Sequence, residues 1–159
     1  MTVLLALDQA TKTGFSIFEK NEWEDDFKLL SYGLYRAKGD TFENKIIDVC
    51  DYFDILIHEY QIDIILIEDV QAQSNTLTYG KLSRLVGALI ELSNINEINY
   101  NIIHSSTWRS ELNIKGKTRK ELKENSQKYV KNKYGLDVPD DVADSICIGT
   151  YYLMKEEQI

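Results

Sequence analysis

The chain has 159 residues, is 43% hydrophobic and carries a formal net charge of −8 at pH 7. It is long enough to bury one core, so a single globular domain over 1–159 is expected. No stretch has the apolar length of a membrane span. The opening apolar run, Val3 to Leu7, lacks a basic leader, and Cys50 and Cys147 lie far apart in apolar segments. These features exclude a disulfide scaffold and point to a soluble, cytoplasmic protein whose cysteines act as small hydrophobes.

In chain order, residues 2–8 (TVLLALD), 14–20 and 27–36 (FKLLSYGLYR) read as strands. Their turns, around Lys12-Thr13-Gly14 and Asn21-Glu22, favour hairpins. Asp40 and Glu43 resemble a capping box, opening a helix to Tyr60 with apolar positions at Phe42, Ile46, Val49, Phe53, Leu56 and Ile57. IDIILIED (62–69) is nearly continuous in apolar residues, as in a strand buried on both faces. The helix predicted over 77–93 is apolar on more than one stripe, and a subunit interface would cover the second. Residues 99–104 form a fifth strand. Thr118 and Glu121 make another capping box, opening a basic helix over 118–134. Pro139 announces a last helix running to Met154. The order β-β-β-α-β-α-β-α-α predicts an α/β layout: an antiparallel meander followed by crossover strands.

Charge is unevenly spread. Arg109 to Lys133 contains nine Lys and Arg against three Glu, a local +6 on a remainder of −14. Such a block sets partners better than the total does, and it reads either as a phosphate-binding surface or as a solvated helix face.

Asp8 ends the first strand and Glu68 the fourth. A crossover through the 40–60 helix lays these strands parallel and adjacent, with both acids at the carboxyl edge where open α/β sheets bind ligands. The last helix begins VPDDVADS; Asp141 and Asp144 share a face at i and i+3, and Asp140 and Asp144 share one at i and i+4. Taken singly, Asp8 is an ordinary turn residue and the helix acids ordinary dipole partners. Together, carboxylates converging on one cleft repel unless divalent cations neutralise them. Oxygen ligands without Cys or His select Mg²⁺ or Mn²⁺ over Zn²⁺. Two such ions about 4 Å apart can activate water and stabilise a leaving oxygen in phosphodiester cleavage.

The motifs LALDQATKTGFSIF, IILIEDV, the loop and helix with Asn75, Lys81, Leu82 and Gly87, and DVAD at 141–144 resemble the RuvC-type Holliday junction resolvases, of the ribonuclease H-like fold. The likeness runs from Val3 to about Leu153. It implies a five-stranded mixed sheet flanked by helices and a homodimer through the 77–93 helix, which supplies two symmetric nicks. The activity implied is structure-selective endonuclease cleavage of four-way junctions, leaving 5′-phosphate ends. Departures from the family pattern extend the expectation to a relaxed enzyme that also cuts forks or other branched DNA.

The DxxD form selects Asp141 over Asp140. Asp8, Glu68, Asp141 and Asp144 become the catalytic set, holding two Mg²⁺ with Mn²⁺ able to substitute. Arg109 and Lys120 fall where resolvases carry lysines important for cleavage, and Lys120 is the expected catalytic cation. Asn75, Lys81, Arg84, Arg109, Lys115, Lys117, Arg119, Lys120 and Lys123 are the expected DNA contacts, with Gly116 permitting a turn. Trp108 is expected to pack beneath this segment, and the tyrosines of the last helices to be core and rim. Asp69 is expected to face away from Glu68 unless the strand has already ended, in which case it could add a ligand.

Three positions depart from the family pattern. The first turn is Asp8-Gln9-Ala10 in place of Asp-Pro-Gly. Gln71 stands where an aromatic wedge is common, and Val86 replaces an arginine. These put junction selectivity and sequence preference in question and leave the acids intact. Asn, Ile, Lys and Tyr richness resembles a phage or prophage form acting in a bacterial host cell. A non-catalytic branched-DNA-binding protein and an RNA-processing nuclease of the same fold are the alternatives; an actin-like or sugar-kinase ATPase would need a second domain.

Overall fold

The computed structural model describes residues 1–24, 26–72 and 75–156. Three antiparallel strands open the chain: β1 (Thr2–Asp8), β2 (Lys12–Lys20) and β3 (Phe27–Arg36). Helix α1 (Phe42–Tyr60) then crosses to β4 (Ile64–Glu68), and α2 (Thr76–Ile95) crosses to β5 (Asn99–Ile103). Both crossovers give parallel pairs, so the sheet order is β3-β2-β1-β4-β5. The chain closes with α3 (Ser105–Glu111), α4 (Arg119–Tyr134) and α5 (Asp140–Glu156).

Alternation along the strands divides the core in two. Val3, Leu5 and Leu7 of β1 pack with Ile65 and Ile67 against Val49 and Phe53 of α1 and Leu85 and Leu89 of α2. Leu4 and Ala6 pack with Ile64 and Leu66 against Trp108, Val130, Ile146 and Cys147 beneath α3, α4 and α5. Asp8 and Glu68 continue the second set and therefore emerge on the α3–α5 side. Cys147 is buried and Cys50 partly so, both as free thiols. Tyr151 is buried, and Tyr129, Tyr134 and Tyr152, partly buried, pack against the same core cluster, as core and rim.

Several helix boundaries differ from the sequence expectation. The cap of α1 is Thr41, which accepts from the Asn44 amide, in place of Asp40. Asn75 caps α2 by accepting from the amides of Leu77 and Thr78. Thr118 caps α4 as expected, but the Glu121 carboxylate reaches the Lys117 amide, one residue before the reciprocal partner of a capping box. Helix α3 was not anticipated: SSTWRSE is too short to display a helical period. Gly116 has no positive φ. Its requirement is space, since a Cβ there would lie 2.9 Å from the Leu122 amide nitrogen.

Candidate active site

The carboxyl ends of β1 and β4 lie side by side, with Leu7 paired to Ile67 immediately before the two acids. Gln9 fastens the next step. Its side-chain carbonyl accepts from the Glu68 amide at 3.1 Å while its NH₂ donates to the Glu68 carbonyl, so a side chain continues the ladder beyond the strand end. The turn itself is closed by Thr13, whose hydroxyl donates to the Ala10 carbonyl at 2.6 Å and accepts from its amide at 3.2 Å. Gln9-Ala10 thus serves structurally where the resolvase pattern has Pro-Gly.

Helix α5 reaches this edge through Gly14, the residue paired with Asp8 across the hairpin. A Cβ on Gly14 would lie 2.0 Å from the carbonyl oxygen of Asp141, so only glycine admits the first turn of α5 here. Asp141 and Asp144 then face Asp8. Asp140 turns aside, its carboxylate accepting from the Asp141 amide at 2.9 Å.

At the centre sits the ammonium of Lys123, from α4. It donates to Asp8 at 3.2 Å, to Asp141 at 3.1 Å and, closer still, to Asp144. Lys12 adds a second cation 3.4 Å from Asp141, and the Arg109 guanidinium lies 3.5 Å from Asp144. Glu68 is held separately: the indole N–H of Trp108 donates to its Oε2 at 3.2 Å, and Arg109 stacks on that indole at 4.6 Å. Trp108 is fully buried, so it packs as expected and also carries a polar role that sequence reasoning missed.

The charges strain against burial. Desolvation, reinforced by Asp144 and Asp141, pushes the Asp8 carboxyl up to about 7 although Lys123 opposes the shift. Glu68 is pushed up to about 8 by burial and then by Asp8 and Asp144, against Arg109 and Lys123. Burial also raises Asp144, while Asp141, where the Lys123 charge and hydrogen bond outweigh burial, is held below its ordinary value. Burial alone would lower Lys123, yet Asp8 and Asp144 together hold it above the usual lysine range.

The expected cations divide into groups. Arg109, Lys117, Arg119 and Lys123 line one cleft of about 500 Å³ with Asp8, Glu68 and Asp141. Lys115 lines an adjoining groove with Gln71 and Ser105. Lys120, the expected catalytic lysine, is 86% exposed and 3.9 Å from Glu124, without contact to the acids. One turn further along α4, Lys123 lies on the side that packs toward α5 and takes that central position. On α2, Arg84 pairs with Glu43 at 3.0 Å and Lys81 lies 5.7 Å from the Phe42 ring, so both brace α1. Asn75 is engaged as a helix cap. Asp69, expected to face away, lines the cleft and meets His104 at 3.2 Å, because β4 ends at Glu68 and alternation lapses there.

Among the described residues, no three acidic, His or Cys side chains stand preset as a metal cage. Three of the four acids instead surround the ammonium. The donor set still suits a hard divalent cation: it is all oxygen, it already attracts a cation, and Asp144 Oδ1 is buried without a hydrogen-bond partner.

Residues 5–151 match the family described as crossover junction endodeoxyribonuclease RuvC. The chain belongs to the RuvC family. It is 29% identical over 154 residues to RuvC of Aliarcobacter butzleri (strain RM4018), covering 96% of this chain and 98% of that protein. To RuvC of Campylobacter concisus (strain 13826) it is 28% identical over 149 residues, covering 91% and 92%. Its fold is similar to that of T. thermophilus RuvC in complex with a Holliday junction substrate, with a TM-score of 0.79 at 12% identity over 99% of this chain and 96% of that one. The five-stranded mixed sheet flanked by helices is therefore a RuvC-like, ribonuclease H-like fold. Among RuvC positions that depart here, Gln71 donates its amide to the Ser105 hydroxyl, and Val86 is buried against the α1–α2 core.

Proposed function

We propose that this RuvC-family chain is a divalent-metal-dependent endonuclease that cuts four-way DNA junctions and other branched DNA, leaving 5′-phosphate ends. The observation that carries this reading is the convergence of Asp8, Asp141 and Asp144 on the Lys123 ammonium, with Glu68 beside Asp8 at the neighbouring strand end. These four residues would hold Mg²⁺, or Mn²⁺ in its place. Bound there, such ions supply an activated water and stabilise charge on the departing oxygen.

The chain's own residues do the rest. Trp108 orients Glu68 without adding charge, Gln9 fixes its backbone beside Asp8, and Gly14 lets Asp141 approach. Arg109, Lys117 and Arg119 present positive charge along the cleft to a phosphate backbone, with Lys115 extending the surface. Gln71, tethered to Ser105, offers hydrogen bonding where an aromatic residue would stack, which favours relaxed selectivity among branched structures.

Two cuts on one junction require two such sites, and a two-fold dimer supplies them. Helix α2 is the proposed interface: Leu77 is 65% and Tyr79 40% exposed, and a Cβ on Gly80 or Gly87 would meet nothing within 4 Å among the described residues, so a second helix could approach closely. Incubating the protein with labelled four-way, three-way and forked DNA, and matched RNA branches, in Mg²⁺ or Mn²⁺ tests the proposal. Paired nicks in the DNA substrates are expected. Binding without cleavage, or cleavage confined to RNA, would contradict it.

A further inference from the structure

An ammonium group has three N–H donors. In Lys123 all three point at carboxylates, those of Asp8, Asp141 and Asp144. The Lys123 side chain is 14% exposed and Asp144 only 1%. Lys123 therefore has no donor left for a phosphate, and the three acids have their inner oxygens turned toward it. A divalent cation using the same acids would stand within a few ångströms of a like-charged ammonium in a poorly solvated site, which is unfavourable. The two cations compete for one position.

The acids are better suited to the stronger competitor. Asp144 Oδ1 is buried and, among the described residues, unpartnered with Lys123 in place, so the ammonium leaves part of the cluster unsatisfied. Lys123 also has an exit. Its four-carbon stem is flexible, and the cleft it lines continues past Lys117, Thr118 and Arg119.

We infer that Lys123 is an internal counter-ion that occupies the acid cluster while metal is absent and is expelled when a divalent cation enters. The inference rests on the metal-dependent reading above. Expulsion frees three N–H donors beside the cleft at the moment the acids become competent, so one event couples metal loading to phosphate binding. Without metal, the ammonium keeps three clustered carboxylates, one of them buried and two largely so, from repelling one another, and the folded chain tolerates the cluster.

Calorimetric titration of Mn²⁺ into the wild type, Lys123→Met and Lys123→Arg proteins tests this directly. With the competitor removed, Lys123→Met is expected to bind Mn²⁺ at least about tenfold more tightly than the wild type. Lys123→Arg retains a cation and is expected to stay near the wild-type affinity. Equal or weaker Mn²⁺ binding by Lys123→Met would overturn the inference while leaving the metal reading standing. Absence of Mn²⁺ uptake by all three proteins would remove both.

A second measurement needs no variant. Acetylation of Lys123 by an amine-reactive ester, followed by mass spectrometry, is expected to be slow in chelator and faster with Mn²⁺. Unchanged or slower modification with Mn²⁺ would show that the ammonium stays in the cluster.

Discussion

Trp108 meets Glu68 through an N–H that does not titrate, so it can hold a carboxylate without adding charge to a crowded site. Trp108→Phe keeps most of the buried ring and removes the donor. A hydrogen bond to a charged group is worth about 1.5–3 kcal/mol, which predicts a single-turnover cleavage rate about 10–150-fold lower with junction affinity unchanged. An unchanged rate would show that Glu68 is held by other means. The acids themselves give the metal-free protein a pH signature. Asp8 and Glu68 are raised to about 7 and about 8, well above the ordinary carboxylate range, chiefly by burial. A folded state that holds protons more tightly than the unfolded state loses stability as pH rises through that interval. The contribution is complete below the unfolded values and gone above about 8. Asp141, lowered, works in the opposite sense at more acidic pH. Thermal unfolding in chelator should therefore give a lower Tm at pH 8.5 than at pH 6, by about 2–4 °C for each kcal/mol lost. A Tm that rises over this range would contradict the burial of these carboxyls.

Between elements, the decisive contact is α5 on β2. Gly14→Ala would drive a methyl group into the Asp141 carbonyl. Overpacking of this kind costs about 1–3 kcal/mol, read as a lowered Tm, and it displaces Asp141 from Asp8. Cleavage should fall further than stability does, and a variant with normal Tm and normal cleavage would contradict the arrangement. The strands and the two strand-end acids were legible because alternation and a βαβ crossover leave few ways to arrange them. The DxxD pair was legible because helical spacing puts it on one face. Other features required elements to be brought together. Thr41 and Asp40 are neighbouring residues that can both cap a helix, Asp the stronger by propensity, and only the backbone selects Thr41. Gln9 gains its role from lying next to β4, fifty-nine residues away in sequence. Lys123 was one of nine cations in a basic block, and composition could not rank it above Lys120. The packing of α4 on α5 makes that choice.

At the scale of the whole molecule, the proposal requires an acidic protein to meet a polyanion through the cations Arg109, Lys117 and Arg119 of one cleft. Binding should weaken steeply with salt, and Lys117→Ala should reduce the slope of log K against log salt by about 1. A slope unaffected by this change would remove Lys117 from the phosphate contacts. The two-fold reading predicts that Leu77→Asp shifts the chain toward monomer in sedimentation and converts paired cuts into single nicks. Beneath these expectations lies one claim, that Asp8 and its three acidic partners hold the cation that cuts DNA. Its most direct test is cleavage of a labelled four-way junction in Mg²⁺ by the wild type and Asp8→Asn, with binding measured in parallel. The account predicts cleavage reduced by at least about 100-fold with junction affinity retained; nicking by Asp8→Asn at the wild-type rate would contradict it.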